Sequence, residues 1–230
     1  MTDFLEASVF FGLFLSLLSY GAGVYLKRKF KLSIFNPLLI SIILTILVLV
    51  IFRVDYEVYY DGAKYISYLL TPATVCLAIP LYEQLETLKK NWKAIIIGIT
   101  SGVLASLVSI LAMVVLFELS HEEYVTLLPK SITTAIGMDV SAELGGYVSI
   151  TVAVIIITGV LGNVIGEAVL KLFRITDPVA KGIALGTASH AIGTSKAMEL
   201  GEVEGALSSL SIVVAGIITV VGASVFAQFI

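Results

Sequence analysis

Two stretches of the chain bring hydroxyls, flexible backbone and isolated charges together: Lys130-Ser131-Ile132-Thr133-Thr134-Ala135-Ile136-Gly137, and Gly186-Thr187-Ala188-Ser189-His190-Ala191-Ile192-Gly193-Thr194-Ser195-Lys196. A third, between residues 62 and 84, holds Thr74 between Pro72 and Pro80. These residue types suit the holding of a small anion. Where a helix is interrupted, its free N–H groups carry partial positive charge, and with Ser and Thr hydroxyls they hold a carboxylate without a buried arginine. The candidate substrate contacts are Thr74, Ser131, Thr133, Thr134 and Gly137, facing Ser189, His190, Gly193 and Thr194. Only three arginines exist, Arg28, Arg53 and Arg174, all at expected span ends. A dicarboxylate or phosphate clamp would recruit arginine, so small monocarboxylates fit better.

Lys130, Glu143, Asn163, Lys196 and Glu199 are candidates for coupling or charge compensation. Each has an ordinary reading as well. Membrane Ser and Thr hydroxyls also bond their own i−4 carbonyl or pack between helices. His190 either lines a path or is a satisfied packing histidine, and Lys196 either neutralises substrate or snorkels to a surface. Glu143 and Glu199 fit capping or interface positions as well as proton coupling. Catalysis is disfavoured: Ser189 beside His190 is not a nucleophile and base pair, and no GxSxG or HExxH motif occurs. A single cysteine, Cys76, permits no internal disulfide, and no metal or cofactor motif is present.

The elements that must position these groups lie in a membrane. Of 230 residues, 58% are hydrophobic and 13% charged, which excludes a water-soluble globule. A net charge of −3 leaves no electrostatic footprint for nucleic acid. Apolar runs long enough to span occur at about 4–26, 35–52, 94–117, 147–170 and 206–230. With the irregular stretches they make seven or eight membrane segments, some broken or re-entrant. Lysine and arginine concentrate at residues 27–31, 89–93 and 171–181. The positive-inside rule puts these on the cytoplasmic side of a multi-pass cell-membrane protein with its N-terminus outside. Residues 55–61 and 120–124, acidic and tyrosine-bearing, then lie at the outer interface. The 125–145 segment should not cross fully, whereas charges leave open whether 178–203 crosses or returns.

An internal echo links the irregular segments. Ala78-Ile79-Pro80 precedes Glu86, Ala135-Ile136-Gly137 precedes Glu143, and Ala191-Ile192-Gly193 precedes Glu199, always with eight positions from alanine to glutamate. Such repeats of a broken segment and a spanning helix, inserted in opposite orientation, organise secondary transporters. The expected fold is therefore all-α, a single polytopic membrane domain over 1–230 with internal inverted repeats. Helices within 1–60 act as scaffold, and breaks fall near 70–82, 128–145 and 185–201.

The run from Gly186 to Ala206 closely resembles the signature of the LrgB/CidB family of bacterial membrane proteins. Leu128 to Thr134 and the stretches Pro72-Ala73-Thr74 and Pro80-Leu81-Tyr82 resemble its other recurring segments, in the right order. That resemblance implies one of two roles. The first is carriage of small organic acids, as in the related plastid glycolate/glycerate translocator and in bacterial members associated with pyruvate. The second is antiholin-like or holin-like control of murein hydrolase activity with a small LrgA/CidA-type membrane partner. A proline commonly follows the paired threonines in the family, and Ala135 stands here, so the second break should depend on Gly137 and Gly145-Gly146. The expected function is carriage of a glycolate, glycerate, pyruvate or lactate-class anion by alternating access, with proton or sodium coupling possible in principle and a homodimer contact through the scaffold.

Overall fold

A computed structural model describes residues 10–30 and 35–230, apart from the side chain of Thr74. Residues 4–9 of the first expected span and Lys31 of the first basic loop lie outside the described residues. The chain divides into two compact units, 1–76 and 77–230. All regular structure among the described residues is helical.

The first unit holds α1 (Phe11–Phe30), α2 (Pro37–Phe52), α3 (Tyr56–Ser67) and α4 (Leu70–Cys76). Asn36 starts α2, its Oδ1 accepting from the Leu38 and Leu39 amides at 2.8 and 3.1 Å, with Pro37 in the first turn. Arg53 ends it in the left-handed conformation. Two glycines let α1 approach its neighbours closely: an added Cβ at Gly12 would collide with the Tyr59 carbonyl, and one at Gly23 with Pro37. The acidic segment 55–61 forms the start of α3. Asp55 takes the extended N-cap conformation and Glu57 lies in the first turn, where acidic charge complements the helix dipole.

The second unit holds α5 (Ala78–Glu83), α6 (Leu85–Phe117), α7 (His121–Leu127), α8 (Thr134–Glu143), α9 (Val148–Leu172), α10 (Pro178–Leu200) and α11 (Glu202–Phe226), closed by a short 3-10 turn, Ala227–Phe229. Among the described residues three helices, α6, α9 and α11, are long and apolar enough to cross a membrane. One face of α6, Ile95, Ile99, Val103, Leu107, Ile110 and Val114, repeats every three or four residues and is buried. It joins Tyr124 and Val125 of α7 and Ala206, Leu207, Ala215 and Ala223 of α11 in one core. A capping box starts α7: Ser120 Oγ accepts from the Glu123 amide and the Glu123 carboxylate accepts from the Ser120 amide at 2.8 Å.

The ends of this unit are identified by their contacts. Lys181 of α10 and Glu204 of α11 form an ion pair at 3.7 Å, so the basic segments and the start of α11 share one end. At the other end, Tyr124 Oη donates to the Phe226 carbonyl and His121 Nδ1 lies 2.8 Å from the Ile230 oxygen.

Candidate functional site

The irregular segment 178–200 consists of two helical halves joined at a break. Ser189 (φ −137°, ψ 18°) and His190 (φ 42°, ψ −139°) leave the helical region. A positive φ at a histidine is strained, and it persists only where neighbours enforce it.

Helix α9 serves as a ruler for what this bend does. Going up α10 from its basic end, Leu185 lies against Gly166, Ser189 against Gly162 and the His190 ring against Gly159. Beyond the bend the contacts run back down: Asn163 Nδ2 donates to the Ile192 carbonyl at 2.8 Å and to Ser195 Oγ at 3.0 Å, and Lys196 pairs with Glu167 at 2.9 Å. A Cβ on Gly193 would lie 2.5 Å from the carbonyl oxygen of Leu185, eight residues back in the entering half, so the two halves of α10 lie side by side. The segment enters from the basic end, reverses near the middle of α9, and returns to the end it left. The segment 178–200 thus folds back on itself within this unit, and the helix of spanning length that follows it is α11.

The second irregular segment reverses from the other end. Leu128 to Thr133 is non-helical between α7 and α8. The Thr126, Ser141 and Thr151 side chains meet in one buried network: Thr151 Oγ1 lies 2.9 Å from the Thr126 carbonyl and 2.7 Å from Ser141 Oγ, and Thr126 Oγ1 accepts from the Tyr147 amide at 2.7 Å. Deeper along α9, Gly137 packs directly on Ile155. Thus α8 climbs antiparallel to α9 back to the end where α7 began, and its start at Thr134 lies near the middle of α9. The unwound point is Leu128 to Thr133, not Gly137. Pro129 cannot continue α7, whereas Gly137 is helical and gives room to Ile155. Gly145, at φ 85°, follows the end of the returning helix rather than forming the break.

Between α6 and the entering half of α10 runs a groove of about 870 Å³. Asn91 and Asp177 stand at its basic end; Lys130 and Ser131 stand at its inner end. Small residues of α6, including Gly98, Gly102 and Ser106, form one wall, and Ala184, Thr187 and Ala188 form the other. Lys130 Nζ donates to Ser131 Oγ at 2.9 Å, and Ser131 Oγ is 3.4 Å from Ser106 Oγ. The loop before one reversal and the helix just before the other therefore border the same space.

The expected contact residues are distributed unevenly around it. Ser131 lines the groove together with Lys130. Thr133 caps α8 without a side-chain capping bond, and Thr134 is half-buried in its first turn. Ser189, His190, Gly193 and Thr194 are buried and hold the bend together. The His190 ring bonds the Ile155 carbonyl at 3.0 Å through Nε2, and Thr194 Oγ1 lies 3.0 Å from the His190 carbonyl and 2.7 Å from Ser208 Oγ. Thr74 lies in α4, in the other unit, with its side chain outside the described residues. Lys196, Glu167, Lys171 and Glu199 form an ion-pair cluster near the basic end, with Lys171 to Glu167 at 2.8 Å and Lys196 to Glu199 at 3.4 Å. Glu143 is exposed at the end of α8. Thr187 was not singled out from the sequence, because a threonine in a helical run ordinarily satisfies its hydroxyl on its own backbone. Here its buried hydroxyl has no hydrogen-bond partner among the described residues.

Apolar helices of spanning length and chain reversals buried against them define a multi-pass membrane protein. The chain belongs to the LrgB-like family, whose pattern it matches over residues 16–229. It is 39% identical over 222 residues, 96% of either chain, to the antiholin-like protein LrgB of Bacillus mycoides (strain KBAB4). It is 38% identical, with the same coverage, to the antiholin-like protein LrgB of Bacillus cereus (strain B4264) and of Bacillus anthracis (strain CDC 684 / NRRL 3495). No solved structure matches the chain.

Proposed function

We propose that the protein is a carrier of small monocarboxylates, of the glycolate, glycerate, pyruvate or lactate class, working by alternating access in the cell membrane. The observation that carries this reading is the meeting of two chain reversals, entering from opposite ends of the second unit, near the middle of α9 and beside one groove. Unwound backbone inside hydrocarbon is tolerated only against protein or a watery cavity, and opposed broken helices around a midplane site are the recurring arrangement of secondary transporters. In this reading AIG-MDVSA-ELG and AIG-TSKAM-ELG are inverted copies: each forms the returning half-helix after a reversal, and each leads into a spanning helix. The basic end is cytoplasmic and the N-terminus lies outside. A homodimer formed through the first unit, and coupling to protons or sodium, belong to the same proposal.

Purified protein in liposomes is expected to take up radiolabelled glycolate, pyruvate or lactate with saturation and mutual competition. Failure to move all three under any ion gradient, with an LrgA/CidA-type protein included, overturns the carrier. The printed name of the relatives, antiholin-like, supports a second reading in which the chain restrains a lytic membrane protein. That reading predicts protection against membrane permeabilisation without saturable uptake.

A further inference from the structure

We propose that the inner end of the groove is an anion subsite in which the Lys130 ammonium and the Thr187 hydroxyl together hold one carboxylate; this rests on the groove being the substrate path. Two independent observations converge there. Lys130 lines the groove with its Nζ directed to Ser131 Oγ, and it forms no ion pair with a carboxylate among the described residues. Burying a cation near hydrocarbon without a counter-charge is costly enough to call for an anion. Thr187, 6% exposed, lines the same groove with its hydroxyl buried and unpartnered. A buried donor left unsatisfied is costly, and an arriving carboxylate oxygen removes that penalty.

The geometry also sets the size and charge of the occupant. Thr187 packs against Gly102, one helical turn from Ser106, which reaches Ser131. Ser106, Ser131 and Thr187 thus border one short stretch of groove with a single cation; the Thr187 methyl faces Gly102, and a turn about its Cα–Cβ bond presents the hydroxyl to an occupant. Asp177, the groove's acid, stands at the far end and is engaged as the N-cap of α10, accepting from the Ala180 amide at 2.9 Å. One positive charge among hydroxyls matches one carboxylate carrying a neighbouring oxygen. A second carboxylate would sit against alanine and glycine with no cation, which disfavours dianions.

Direct binding of radiolabelled lactate to the purified protein, with unlabelled acetate, succinate and chloride as competitors, tests the subsite apart from transport. Saturable lactate binding displaced by acetate, and poorly by succinate or chloride, is expected. Thr187→Val should weaken it roughly tenfold, the scale of one charge-assisted hydrogen bond, while leaving the melting temperature equal or higher because an orphaned hydroxyl is removed. Thr187→Ser should restore affinity, and Lys130→Met should abolish binding. Unchanged affinity in Thr187→Val overturns the subsite, as does displacement by chloride or succinate as effective as by acetate. Binding without uptake into liposomes overturns the carrier and leaves the subsite standing. Uptake with unaltered affinity in both Lys130→Met and Thr187→Val overturns the subsite and leaves the carrier.

Discussion

His190 Nε2 and the Ile155 carbonyl are 3.0 Å apart, a hydrogen bond between α9 and the strained point of α10. A carbonyl only accepts, so Nε2 carries a proton and donates. The bond also gives a partner to a carbonyl in α9 that faces the bend.

Replacing that ring separates its two roles. His190→Ala removes the hydrogen bond and keeps the unfavourable φ of 42°, so a loss of about 1–3 kcal/mol is expected. His190→Gly removes the same bond but relieves the backbone, and should melt at a higher temperature than His190→Ala in the same detergent. Equal melting temperatures would show that the backbone strain is not being held by the fold.

Close approach at the bend can be tested with one methyl group. Gly162→Ala places a Cβ into the Ser189 side chain and is expected to destabilise by about 1–3 kcal/mol. Gly21→Ala, whose Cβ would meet nothing within 4 Å, should be neutral or slightly stabilising by helix propensity. Thermal unfolding of the two variants provides the comparison.

The ion pairs near the basic end should behave as a unit. Lys196→Met leaves Glu167 with Lys171 alone, and Glu167→Gln strands Lys196 beside Glu199. Combined, the two substitutions should cost less than the sum of the singles. A coupling of about 1 kcal/mol is expected, at the low side of the usual range because Glu167 is partly exposed. A double-mutant cycle on thermal unfolding measures it.

The capping turn of α7 should respond to acid. Hydrogen bonds from its own backbone N–H and from Ser120, together with His121 nearby, hold the Glu122 carboxyl below the usual carboxylate range. A folded value below the unfolded one contributes stability that is complete above the unfolded value and is lost as pH falls through the folded one. Protection from hydrogen exchange at 121–127, taken relative to the intrinsic rate at each pH, should therefore fall on acidification below the ordinary glutamate range, and less so in Glu122→Gln.

The sequence made the membrane class, the long helices and the presence of reversals legible, because hydropathy and the AIG…ELG echo are local signals. The point of unwinding was not. Glycine is the breaker that the sequence suggests at Gly137, yet Gly137 is helical and admits Ile155, and Gly193 is helical and lets the two halves of α10 touch. The actual reversals fall at Pro129 with its following loop and at Ser189-His190, and the second of these is imposed by packing against α9. The hydroxyls of Ser189 and Thr194 look alike in sequence to that of Thr187, and only the fold distinguishes those built into the bend from the one left buried without a partner beside the groove.

The most direct test of the account is which side of the membrane the turns following the two reversals face. In a Cys76→Ser background in oriented vesicles, single substitutions Gly145→Cys and Glu202→Cys are treated with a membrane-impermeant thiol reagent. The account predicts labelling from opposite sides, with Gly145→Cys sharing a side with Ser120→Cys and Glu202→Cys with Thr176→Cys. Labelling of Gly145→Cys and Glu202→Cys from the same side would contradict it.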